Sequence, residues 1–167
     1  TLACIAICHL EGIDYETMHQ LLLTFVNAKR RFKETKVGDI IVIDDYAHHP
    51  TEIKVTLNAA RQKYPDKKLI AIFKPNTYSR TVEMTDDFVE ALKIADQIYM
   101  TEIDANREKA SDYPGVSSHM ILDKIPNGKI IDEESIAQLK EEKNAVVCFM
   151  SCASIAHLLD AYMKMIA

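Results

Sequence analysis

Nine residues, Asp44-Asp45-Tyr46-Ala47-His48-His49-Pro50-Thr51-Glu52, gather three acids, two histidines and an aromatic into one short stretch. An apolar run, Ile40–Ile43, stops at the first acid. Pro50 suits the first position of a helix, where a missing N–H costs nothing. A strand end followed by a helix start exposes unpaired amide N–H groups and a positive dipole end, so anions dock there readily. Asp45 could bond ribose hydroxyls, as acids at such strand ends do. His48 and His49 could serve as neutral donors or as a carboxylate's partner near neutral pH. The plainer reading is that the acids cap the loop while one histidine packs, and the residues alone leave both open. Adjacent histidines diverge, so no metal site is expected from them.

A second constellation is Phe73–Thr81, FKPNTYSRT, placed after a further apolar run. Asn76, Tyr78 and Arg80 offer donors, and an arginine fork grips a carboxylate or phosphate bidentately. Its bland counterpart is a solvated turn with one surface arginine. The basic cluster Lys29-Arg30-Arg31 precedes both. A hinge arginine there could reach a phosphate held by a neighbouring domain, and otherwise is an ordinary surface charge. Neither G-x-x-x-x-G-K-[ST] nor G-x-G-x-x-G occurs, so the chain carries no phosphate-cradling loop of its own. Ser151 and Ser154 sit beside a strand end with no base supplied by the sequence, and no nucleophile triad stands out.

These loops need a scaffold that brings them together. From Ile40 onward the hydrophobic periodicity alternates between strands (Ile40–Asp45, Leu69–Phe73, Gln97–Thr101, Lys129–Ile131, Ala145–Met150) and helices (Pro50–Tyr64, one capped near Thr85, Val116–Ile125, Glu133–Lys143, Ser154–Ile166). That alternation predicts an α/β fold, a doubly wound and mostly parallel sheet with helices on both faces. Arg31–Lys36 and Asp39–Asp45 around Val37-Gly38 predict a leading hairpin. Two helices come first, Thr1–Leu10 and one capped by Asp14, with a domain boundary in Asn27–Phe32. The tips after the first two parallel strands are expected to meet as neighbours on one sheet edge. The polar stretch Glu102–Pro114 is longer than most connections and is marked as a functional candidate.

Composition narrows the classes. The chain has 167 residues, 48% hydrophobic and 27% charged, which bounds it to one ordinary domain plus a short appendage. A net charge of −5 with interspersed signs argues against a nucleic-acid surface. No stretch reaches the roughly 20 apolar residues of a membrane span. The four cysteines lack C-x-x-C spacing and are expected to be small buried hydrophobes in a reducing compartment. The start at Thr1, in mid-helix pattern, predicts a fragment of a longer protein.

Ala28–Phe32 (AKRRF), Asp44–Glu52 (DDYAHHPTE) and Phe73–Thr81 (FKPNTYSRT), in this order and spacing, resemble the carboxyl-terminal, Rossmann-like domain of the Mur ligase family. The second string resembles that of the family's L-alanine-adding members. LACIAICHLEGID resembles the last helices of the family's central ATPase domain, which divides the chain into 1–28 and 29–167. The resemblance implies an ATP- and magnesium-dependent ligase of the bacterial cytoplasm, acting in peptidoglycan synthesis with ATP, L-alanine and UDP-N-acetylmuramate as partners and with neither nucleic acid nor membrane. The muramoyl carboxylate would take the γ-phosphate as an acyl phosphate, which the amine of alanine then attacks. Arg31 and Asp45 would serve the ATP phosphates and ribose. Tyr46, His48, Asn76 and Arg80 would form the L-alanine pocket, with His48 and Arg80 as its catalytic members. The P-loop, the metal ligands and the UDP-sugar domain would lie outside this chain, leaving it inactive alone. Two departures stand out: PNTYSRT replaces the usual P-H-R-Y-T-R-T, putting Asn76 where a histidine is common, and Met150–Ser154 replaces M-G-A-G-D. A stand-alone, non-catalytic nucleotide- or metabolite-binding module is the alternative, and a small hydrolase or redox protein using His48, His49 or the cysteines a further one.

Overall fold

A computed structural model of the chain describes residues 2–25 and 28–167, so Thr1 and Asn27, at the ends of two expected segments, lie outside the described residues. α1 (Leu2–Leu10) and α2 (Tyr15–Leu23) come first. Asp14 caps α2 by accepting the Thr17 N–H at 2.9 Å, as its residue type and position require. Then β1 (Lys33–Val37) and β2 (Ile40–Asp45) form the expected hairpin, closing at the Val37–Ile40 pair around Gly38, whose φ of 57° favours glycine. The rest follows as α3 (Pro50–Lys63), β3 (Lys68–Phe73), α4 (Tyr78–Glu83), α5 (Thr85–Leu92), β4 (Gln97–Met100), α6 (His119–Leu122), β5 (Gly128–Ile130), β6 (Ala145–Met150) and α7 (Ala156–Ile166).

The six strands order as β1-β2-β6-β3-β4-β5, parallel except for β1. One expectation is corrected here: β2 and β3 are not neighbours, because β6 runs between them. β6 is buried at every position, and a strand covered on both faces belongs at the centre of a parallel sheet. On one face Ile41, Ile43, Ala71, Phe73 and Cys148 pack under Ile53, Leu57 and Ala60 of α3 and Phe88 and Leu92 of α5. The alternate residues, Val42, Ile70, Ile72, Val147 and Phe149, face Leu158 and Tyr162 of α7. Side chains of period two thus feed both layers, the doubly covered arrangement that the alternation predicts.

Three helical expectations change in detail. Val116–Ile125 shrinks to α6, because Pro126 and Gly128 follow at once and Ser118 turns its hydroxyl to the Thr101 carbonyl, 2.7 Å away. Glu133–Lys143 is a 3₁₀ helix over Ser135–Glu141, in which Ile136 and Leu139, three apart, both reach the core. Thr85 caps nothing: its hydroxyl donates back to Thr81 O at 2.6 Å, joining α5 to α4. All four cysteines are free thiols, but only Cys148 is buried, so the expected packing role holds for one of them.

Tyr162 is fully buried against Phe149, and its hydroxyl has no partner among the described residues. Burial, with the Glu142 charge adding to it, pushes that phenol up to about 12. Tyr162→Phe removes an unpaired polar atom without opening space, so stability is expected to rise by about 1 kcal/mol in urea unfolding. A loss of that size would reveal a partner for the hydroxyl.

Candidate functional site

Asp45 pairs with Met150 across β2–β6, and Met150 with Phe73 across β6–β3, so three strands end level. With about 4.8 Å between strands, the loops after β2 and β3 start roughly 10 Å apart on one rim. The residue after β6 ties them. Ser151, fully buried, gives its N–H to Asp45 O at 3.2 Å and its hydroxyl to Lys74 O at 3.0 Å. Arg30 adds a third strut, donating to Ser151 O at 2.6 Å and to Asp44 Oδ1 at 3.2 Å.

Asp45 is 8% exposed, and its carboxylate accepts the Phe32 N–H at 2.7 Å and the Ala47 N–H at 2.8 Å. One oxygen therefore holds the incoming link and the other the start of the loop. The link needs holding: Arg30 and Phe32 both carry positive φ, 55° and 49°, a conformation costing non-glycine residues about 1–2 kcal/mol each. Between them Arg31 is exposed, its guanidinium 4.9 Å from the centre of the Tyr46 ring. A cleft of about 690 Å³ opens beside this link, lined by Phe25, Lys29, Arg30 and Asp44 among others, without His48 or Arg80.

Downstream, α3 begins with a capping box. His49 accepts the Thr51 N–H at 3.2 Å, and Glu52 Oε2 accepts the His49 N–H at 3.1 Å. The same Glu52 oxygen takes the His48 N–H at 2.9 Å and lies 3.0 Å from His48 Nδ1. Burial works to raise the Glu52 carboxyl, but the two backbone donors and the charges of His48 and Arg31 outweigh it and hold the group below its ordinary range. The Tyr46 ring stands edge-on to His48 at 5.4 Å.

On the β3 side, Asn76 bridges to Asp104, and Thr77 takes a φ of 70°, unusual for a β-branched residue. Strain of this kind costs roughly 1–3 kcal/mol and persists only where neighbours enforce it. Here Thr77 N–H donates to Asp104 O at 2.8 Å, while Glu108 receives the N–H groups of Tyr78 and Ser79 at 2.6 and 3.1 Å and the Ser79 hydroxyl. The Ser79 hydroxyl above all, then those N–H groups and the Arg80 charge, hold the Glu108 carboxyl low. Arg80 sits half-buried, and its Nη1 is buried without a hydrogen-bond partner among the described residues. Burial raises the Cys152 thiol, and the Arg80 charge opposes that rise.

Tyr46, His48 and Asn76 thus lie on loops that follow strands ending at one rim, with Arg80 in the short helix α4 just after, Arg31 beside Tyr46 and Asp45 at the end of β2. Sequence reasoning marked the stretch Glu102–Pro114 that holds Glu108, and named Ser151 and Glu52, but gave none of the three the role it has here. Glu52 stood three residues past His49, the spacing of a capping box, and was legible. Ser151 and Glu108 act by tertiary contact: the length of Glu102–Pro114 announces the segment that carries Glu108, but no local pattern gives either residue its partner. Among the described residues, no group of three or more His, Cys, Asp or Glu is placed to hold a metal ion.

Against known proteins, residues 30–153 match the model of the Mur ligase glutamate ligase domain. A UDP-N-acetylmuramate–L-alanine ligase of Lactobacillus gasseri is 46% identical over 99% of this chain, which spans 38% of that protein. Among solved structures, a UDP-N-acetylmuramate–alanine ligase of Thermotoga maritima superposes with a TM-score of 0.74 at 25% identity, over 98% of this chain and 36% of that one. A MurF ligase of the same organism, solved with ADP, shares the fold with a TM-score of 0.62 at 18% identity, over 97% and 35%.

Proposed function

The chain belongs to the Mur ligase family, whose glutamate ligase domain it contains, and from that premise we propose that it is the carboxyl-terminal part of an ATP-dependent enzyme joining L-alanine to UDP-N-acetylmuramate. The observation that carries this reading is the meeting of three motif loops at one sheet edge. Arg31 would take an ATP phosphate, being exposed and without a carboxylate within ion-pair distance among the described residues. Asp45 would accept ribose hydroxyls with the lone pairs that its two backbone donors leave over. Tyr46, His48, Asn76 and Arg80 would line the amino-acid pocket, with the Arg80 fork on the substrate carboxylate and His48 near its amine.

Among the described residues no group of three or more His, Cys, Asp or Glu is placed to hold a metal ion, so magnesium binding would fall to the part of the relatives that this chain does not span. The same part would bring the P-loop and the UDP-sugar site. Residues 1–28 would be the last helices of the central domain, where exposed apolar side chains such as Leu2, Leu10 and Phe25 await a covering surface. No described helix is long and apolar enough to cross a membrane, and the bacterial cytoplasm, where ATP is at hand, would be the site of action. Catalysis would rest on positioning and charge rather than on a protein nucleophile.

The test is ADP release by this chain joined to the amino-terminal portion typical of its relatives, supplied with UDP-N-acetylmuramate. Release is expected to depend on L-alanine, with no turnover from the 167-residue chain alone. Turnover by the short chain, lost on His48→Ala, would sink the reading in favour of a small hydrolase.

A further inference from the structure

In the amino-acid pocket proposed above, Glu52 has no role beyond starting a helix. Its geometry gives it another. His48 Nδ1 lies 3.0 Å from Glu52 Oε2 and 3.1 Å from the backbone oxygen of Tyr46. Both neighbours are acceptors, one a carbonyl and the other a carboxylate kept ionised by its own donors. A nitrogen between two acceptors must carry the hydrogen, so the neutral ring keeps its lone pair on Nε2. Among the described residues Nε2 has no partner, and the His48 side chain is 23% exposed. The groups facing the ring are Glu52 from α3 and Tyr46 from its own loop, with Arg31 behind them over the Tyr46 face.

We propose that Glu52 is a positioning residue that locks His48 as its Nδ1–H tautomer, so that Nε2 presents a lone pair to the ammonium group of the incoming amino acid. The proposal rests on the reading of His48 as part of the amino-acid pocket. An amino acid reaches the site as an ammonium ion and has no free pair with which to attack a carbonyl. One ammonium N–H bond breaks, its electron pair stays on nitrogen, and the proton passes to His48 Nε2. The resulting imidazolium keeps Nδ1–H against the Glu52 carboxylate, where the opposite charge stabilises it. The neutral amine then forms the new C–N bond at the acyl-phosphate carbon as the C–O bond to phosphate breaks with its electron pair on oxygen. The nitrogen's second proton leaves on the departing phosphate, and the imidazolium returns its own proton to water when product leaves. A carboxylate behind a histidine thus fixes the tautomer that faces the substrate.

Ring-¹⁵N NMR on the 167-residue chain reads the tautomer directly. Wild-type His48 is expected as Nδ1–H. Glu52→Ala leaves only the Tyr46 carbonyl against Nδ1 and is expected to shift a measurable share of the ring to the Nε2–H form, while Glu52→Gln, whose carbonyl still accepts, keeps it as Nδ1–H. His49→Ala breaks the other half of the capping box and loosens the helix start by about 1 kcal/mol, yet should leave the His48 tautomer alone. In the full-length enzyme Glu52→Ala should lower kcat/KM for the amino acid roughly tenfold to a hundredfold with KM for ATP unchanged, and Glu52→Gln should recover most of that loss. A wild-type Nε2–H ring, a tautomer indifferent to Glu52→Ala, or equal losses for the two Glu52 variants would each overturn the proposal. An unaltered enzyme with no alanine-dependent turnover would instead strike the ligase reading, whatever the tautomer.

Discussion

Arg80→Ala in the full-length enzyme is expected to lower kcat/KM for the amino acid by roughly a thousandfold, while KM for ATP stays within about twofold. Arg80 is half-buried at the rim, and its Nη1 has lost water without gaining an acceptor among the described residues. An unpaired buried donor costs about 1–3 kcal/mol, and a charged one more. A ligand carboxylate docking there would return that energy and add a charge-assisted pair. Glu108 contributes its charge nearby but gives three of its about four lone-pair sites to Tyr78 and Ser79, so it orients the α4 start and makes no hydrogen bond to the fork among the described residues. Arg80→Lys should recover only part of the loss, since a point charge cannot make two parallel bonds to a planar carboxylate. Initial-rate kinetics with each substrate varied in turn separates the cases. Equal losses for alanine and ATP would remove Arg80 from the amino-acid pocket.

The scaffold was readable where side-chain periodicity is imposed locally. Ile53, Leu57 and Ala60 fall on one helical stripe, and all three are fully buried. The run Ala145–Met150 read as a strand and is one. Its place in the sheet was not readable, because strand order is decided by which crossover returns where, and no residue within β6 encodes that. With β6 between β2 and β3, Ser151 just past its end is what holds their two loops together, a role that exists only in that strand order. Within the candidate site the chemistry-bearing types were visible, whereas their division of labour was not. In DDYAHHPTE the two aspartates look alike, yet Asp44 pairs with Arg30 and Asp45 with two backbone amides. Likewise His49 caps the helix while His48 is held by Glu52, a distinction set by one residue of helical phase.

Asp45→Ala is expected to destabilise the 167-residue chain by about 3 kcal/mol, seen as a lower urea midpoint at unchanged slope. The carboxylate is nearly buried and serves two backbone donors, of which Ala47 is itself fully buried. Removing it strands both N–H groups, each at about 1–3 kcal/mol. It also frees the Arg30–Phe32 link, whose left-handed residues stay in place only while something holds them. Asp45→Asn is the sharper experiment. Asparagine has one accepting oxygen for two donors and must turn an NH₂ toward the other, so it should recover less than half of the loss despite its equal size. A loss under 1 kcal/mol for Asp45→Ala would mean that water reaches both amides, and Asp45 would no longer count as the pin of this link. The same residue is the proposed ribose contact, and the two roles are compatible because a carboxylate has about four lone-pair sites and two are taken. They also predict a coupling. Nucleotide bound to the remaining lone pairs should tighten the link that carries Arg31, so in the full-length enzyme amide exchange at Phe32 should slow when ATP binds, and that slowing should vanish in Asp45→Asn.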